Sequence, residues 1–163
     1  MGARATLLLA DQPDDEGDAM PREHALSVSD VEIVRGVYAA FARRDLEFIR
    51  AALHPDFVME QSDLLPWGGR RHGVDGFFAF LGTLLSHVAP TVETEALFDA
   101  GDHVVQVGFT HGTVLAHGTP FRLREMHAWQ LRDGLITSYR IYVDVPAMVA
   151  ALDGAPTAPN PDH

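Results

Sequence analysis

Glu125 and His127 stand two residues apart on the apolar face of a strand. In FRLREMHAWQL the odd positions are Phe121, Leu123, Glu125, His127, Trp129 and Leu131; the even positions are Arg122, Arg124, Met126, Ala128 and Gln130. Alternation of this kind marks a half-buried strand whose odd side faces the core. A carboxylate and an imidazole on that side must be paired or used, because burying them otherwise costs free energy. Imidazole titrates near neutrality, so His127 suits general acid/base work, and Glu125 can fix its tautomer or act as the base itself. A hydrogen-bonded core pair, or an ion pair of Glu125 with Arg122 or Arg124, is the structural alternative. Tyr139, on the apolar side of the following run LITSYRIYV with Leu135, Thr137, Ile141 and Val143, can donate to a carbonyl oxygen or simply fill the core.

Composition narrows the chemistry further. The chain of 163 residues has no Cys, and all twelve of its basic residues are Arg. Thiol nucleophiles, thiolate metal sites and lysine Schiff bases are therefore excluded. Nine His raise the question of a metal, but no compact ligand spacing is present. No metal or other cofactor is expected. A net charge of −11 without a basic stripe argues against nucleic acid and anionic membranes as partners. No apolar run is long enough for a membrane span, and the expectation is a cytoplasmic protein.

The elements that must position these groups follow from local patterns. Residues 1–26 read as a disordered acidic tail, residues 27–152 as one domain, and residues 153–163 as a second loose end. Ser29-x-x-Glu32 opens a helix with Val34, Val37, Tyr38 and Phe41 at helical spacing. Asp45 caps a second helix, and His54-Pro55 stops it. A strand is expected over 56–61, a loop over 62–73, and a third helix from Val74 that Pro90 closes. Four strands follow at about 91–100, 103–115, 120–132 and 135–143, joined by short hairpin turns. Asp144 and Pro146 begin a last short helix. Helices set apart from an antiparallel meander make the chain α+β.

The stretches YAAFARRDLEFIRAALHPDFVME, LPWGGRRHGVDGFFAFL, AGDHVVQVGFT and HAWQLRDGLITSYRIYVD resemble the nuclear transport factor 2-like superfamily. Ketosteroid isomerase, limonene epoxide hydrolase and the SnoaL-like polyketide cyclases belong to it. The resemblance implies a cone-shaped barrel: a strongly curved, mainly antiparallel sheet wrapped around three N-terminal helices, with a short C-terminal helix. It also implies a deep apolar pocket for a small hydrophobic molecule, and a homodimer. By that match Gln61 falls where the isomerase carries its general base, and Val37, with Tyr38 beside it, where it carries an oxyanion-hole tyrosine. His127 matches the catalytic histidine of the cyclases, whereas Ile141 stands where they carry an Asp. Gly108 and Thr110 replace the epoxide hydrolase's Arg-x-Asp, so that mechanism is not expected. Gln61, Trp67, Thr110, Trp129 and Ile141 are the expected ligand-binding residues, and His127, Glu125 and Tyr139 the expected catalytic ones. The family match turns Val105, Val107 and Phe109 outward, an apolar row suited to a sheet-to-sheet dimer. Two function classes stand: a cofactor-independent isomerase, cyclase or dehydratase acting on a hydrophobic carbonyl compound, or a non-catalytic binding module.

Overall fold

The computed structural model describes residues 28–157; the expected acidic tail over 1–26 lies outside them. Helix α1 (Asp30–Arg43) starts where the Ser29 hydroxyl accepts from the Glu32 N–H at 3.2 Å. It turns its apolar stripe, Val34, Val37 and Ala40, inward. It ends at Arg44 in the left-handed region, after which Asp45 caps α2 (Leu46–Ala52) by accepting from the Phe48 N–H. Strand β1 (Leu53–Gln61) follows directly. Within the expected loop lies a short strand, β2 (Gly69–His72), before α3 (Gly73–His87). Then come β3 (Val88–Asp99), β4 (Val104–Val114), β5 (Pro120–Arg132), β6 (Leu135–Val143) and α4 (Val145–Leu152), which is capped by Asp144. None of the described helices is long and apolar enough to cross a membrane.

The fold is α+β, with one six-stranded mixed sheet in the order β2-β1-β6-β5-β4-β3. All neighbours are antiparallel except β1 and β6, which run parallel. Pro90 does not end α3. It lies inside β3, an edge strand, where its missing N–H breaks no inner ladder. The alternation read for β6 is also shifted at its start. Leu131 pairs with Ile136 while Gln130 pairs with Ser138, leaving Thr137 as the bulged residue, bonded to the Gln130 carbonyl. The extra residue swaps faces, so Ile136 is buried in place of Leu135 and Thr137.

Two glycines in β4 let the edge strand approach closely. A Cβ on Gly108 would sit 1.9 Å from the Glu93 carbonyl oxygen, and one on Gly112 would sit 2.0 Å from that of Ala89. On the outer face, the row expected to be exposed is partly covered. Phe109 is only 2% exposed because the Arg122 and Arg124 guanidinium groups lie over its ring at 3.6 and 4.2 Å. Those arginines pair with Glu93 and Glu95, not with Glu125. Past the C-terminal helix, the Thr157 hydroxyl accepts from the Arg122 N–H at 3.0 Å.

Candidate functional site

Cross-strand register lays the polar groups of the inner face side by side. Gln106, His127 and Ile141 are paired across β4, β5 and β6, with Glu125 beside Val143 and Gly108 in a neighbouring row. Trp129 pairs with Tyr139, and Tyr139 with Met59 of β1. Glu125, His127 and Gln106 are 5%, 2% and 0% exposed, the buried polar or charged side chains among the described residues.

These groups are wired together. His127 Nε2 lies 3.2 Å from Glu125 Oε2, and His127 Nδ1 lies 2.7 Å from the Tyr38 hydroxyl. The Trp129 indole N–H donates to that same hydroxyl at 2.9 Å. An indole nitrogen can only donate, so the Tyr38 oxygen is the acceptor there and its own proton goes to Nδ1. With Nδ1 accepting, the neutral imidazole carries its proton on Nε2 and donates it to Glu125. The far oxygen of Glu125 accepts from the Gln106 amide at 3.4 Å. A directed chain thus runs from Trp129 through Tyr38 and His127 to Glu125. The Tyr139 hydroxyl lies 3.3 Å from the same Nδ1, whose lone pair Tyr38 already occupies at shorter range. Tyr139 is therefore free to turn its proton toward a ligand. Its ring stacks on Trp129 with centroids 3.7 Å apart.

The chain of bonds borders a cavity of about 100 Å³. By that measure it has room for several waters, at roughly 10–15 Å³ each. Helix α1 contributes Val37, Tyr38 and Phe41; α3 contributes Phe77, Phe80, Leu81 and Leu84; β1 and the loop after it contribute Gln61 and Trp67. All eight expected site residues, His127, Glu125, Tyr139, Gln61, Trp67, Thr110, Trp129 and Ile141, line it. Trp67, in the loop between β1 and β2, is only 2% exposed. Tyr38 and Gln106 join the site without having been assigned to it. The resemblance put Val37 at the tyrosine position, one residue early, and a polar Gln amid valines was the only sign of Gln106. Among the described residues no three metal-ligating side chains cluster.

Burial is the main cause that pushes the Tyr38 phenol well above its ordinary value near 10; the Trp129 bond opposes the rise and the Glu125 charge adds to it. Tyr139 is raised in the same way, first by burial and then by Tyr38 and Glu125. A raised folded pKa gives stability that is full below about pH 10 and is lost as pH climbs toward the folded values. Tyr38 and Tyr139 are expected to stay protonated until the fold is lost. Phenolate absorbance followed alongside circular dichroism checks this; ionisation of Tyr38 and Tyr139 in a still-folded chain would contradict the burial argument.

Residues 34–139 match the SnoaL-like domain, and the chain belongs to that family. Solved structures carry the same nuclear transport factor 2-like fold. One is a protein of unknown function from Burkholderia pseudomallei K96243, 28% identical over 77% of this chain and 98% of its own, with a TM-score of 0.71. Another is TerC, co-crystallised with polyporic acid, 28% identical over 76% of this chain and 97% of its own, with a TM-score of 0.70. A candidate SnoaL-like polyketide cyclase from Jannaschia sp. CCS1 shares the fold at 19% identity, covering 80% of this chain and 99% of its own with a TM-score of 0.65. No protein of curated function matches the chain.

Proposed function

We propose that this protein is a cytoplasmic, cofactor-independent acid/base enzyme of isomerase, cyclase or dehydratase type, acting on a hydrophobic carbonyl compound such as a polyketide-like metabolite within a cone of curved sheet. The observation that carries this reading is the buried chain Tyr38–His127–Glu125 opening on an apolar cavity. A carbonyl oxygen lodged against Tyr139 accepts a hydrogen bond from its hydroxyl. As charge grows on that oxygen, the Tyr38 hydroxyl turns from Nδ1 toward it, and Nδ1 becomes free to take a proton from the adjacent carbon. The resulting imidazolium keeps its Nε2–H on Glu125, which balances the charge. That TerC was co-crystallised with polyporic acid supports a small-molecule ligand for this chain.

The test is deuterium exchange at the α-carbon of 1-tetralone, followed by proton NMR in heavy water. The protein is expected to raise the exchange rate well above that of buffer. Binding of the probe without any acceleration would favour the second reading, a non-catalytic binding module. Two positions support that second reading, since Ile141 and Gln61 supply no carboxylate to the pocket.

The outer face of the sheet supports a homodimer. Phe98, Val105 and Ala128 form one paired row, and Ala96, Val107, Met126 and Tyr142 the next. Phe98, Met126 and Tyr142 remain exposed, forming an apolar surface that needs cover. The wild-type protein is expected to sediment as a dimer at micromolar concentration and V107R as a monomer. A monomeric wild type would remove the assembly.

A further inference from the structure

Gln61 is a polar group lining the cavity that the chain leaves unanswered. Its Oε1 is buried without a hydrogen-bond partner among the described residues. A carbonyl oxygen withdrawn from water and given nothing in return costs free energy, which an apolar side chain at the same place would avoid. Four other polar side chains of the cavity are engaged: Tyr38, His127, Glu125 and Trp129 bond to one another. Gln106 also has a lone Oε1, but its amide donates to Glu125 and Thr94, so the protein itself holds it in place. Gln61 has no such tether.

Register fixes where this acceptor stands. Glu60 pairs with Arg140, which places Gln61 beside Ile141, and Ile141 pairs with His127. Gln61 and His127 are therefore two strand spacings apart, about 9–10 Å along the sheet. The surface between the two ends is apolar: Ile141, flanked by the stacked rings of Trp129 and Tyr139. One end offers hydroxyl donors and an imidazole, the middle offers a flat wall, and the other end offers a bare acceptor.

Resting on the pocket reading above, we infer that Gln61 selects the substrate by accepting a hydrogen bond from a hydroxyl at the end remote from its carbonyl. The substrate class is then a flat, hydroxylated carbonyl compound, phenolic or enolic, in preference to a plain hydrocarbon ketone. The hydroxyl supplies the proton that Oε1 lacks, while the carbonyl meets Tyr139 and Tyr38.

The experiment compares 6-hydroxy-1-tetralone with 1-tetralone, by NMR titration of the His127 ring resonances, in wild type and in Gln61→Leu. The wild type is expected to bind the hydroxylated probe about tenfold more tightly. Gln61→Leu is expected to lose that preference, to bind 1-tetralone at least as well, and to melt about 2–4 °C higher without ligand, since an unsatisfied amide is gone. An unchanged preference in the variant overturns the inference. So does a lower melting temperature with both probes lost, because Gln61 would then be a structural prop. If both probes move the His127 resonances equally in wild type, the inference falls and the pocket reading stands. If neither probe moves them, the pocket reading falls and takes the inference with it.

Discussion

His127→Ala is expected to lower the catalysed exchange rate by about a hundredfold or more, the usual contribution of a positioned general acid/base. Among the described residues the imidazole is the one group in the cavity that touches both a hydroxyl donor and a carboxylate, at 2.7 Å and 3.2 Å. Removing it leaves Glu125 as the remaining carboxylate base on the cavity, without the imidazole that bonds to Tyr38. Tyr38→Phe is a milder change, because the ring of His127 keeps its Nε2–H bond to Glu125 while Nδ1 loses its donor. A loss of about ten- to a hundredfold is expected there, in the range of one hydrogen bond to a growing charge. Each rate is measured on 1-tetralone with the variant's fold checked by circular dichroism. Full activity in a folded His127→Ala protein would take the imidazole out of the mechanism and leave Glu125 or a solvent-borne base in its place.

Much of this arrangement could be read from the sequence, and the rest fails for identifiable physical reasons. Strands β5 and β6 have the boundaries expected from alternation, because Asp133 and Gly134, both at positive φ, make a tight turn that sets the register from one end. The caps at Ser29, Asp45 and Asp144 are equally local and equally legible. Strand β2 is not, since Gly-Arg-Arg-His carries no apolar alternation and exists only because β1 offers it a free edge. The parallel pairing of β1 with β6 joins segments more than seventy residues apart, and nothing local announces it. The site divides along the same line. Glu125 and His127 are visible because polarity breaks a period-2 pattern. Tyr38 reaches them from a helix, across a packing interface whose angle no linear count supplies.

The pair itself is expected to cost stability rather than provide it. His127→Leu leaves the Glu125 carboxylate buried with only the Gln106 amide at 3.4 Å, and Glu125→Leu leaves the His127 Nε2–H with nothing to receive it. Breaking a buried pair from one side typically costs about 3–5 kcal/mol, because the remaining partner stays desolvated. Replacing both partners removes the penalty each single variant suffers, and the two leucines would continue the apolar row of Leu123 and Trp129 on β5, while the Tyr38 hydroxyl and the Gln106 amide lose the acceptors they had in His127 and Glu125. The double variant is therefore expected to be more stable than either single variant, while catalysis is abolished. Urea unfolding of the four proteins closes the cycle and gives the coupling directly. A double variant as unstable as the worse single would mean that the pair is a structural tie in the sheet. Recovery in the double variant would mean that the fold does not need Glu125 and His127, and that what keeps them buried at 5% and 2% exposure is the chemistry of the cavity they face.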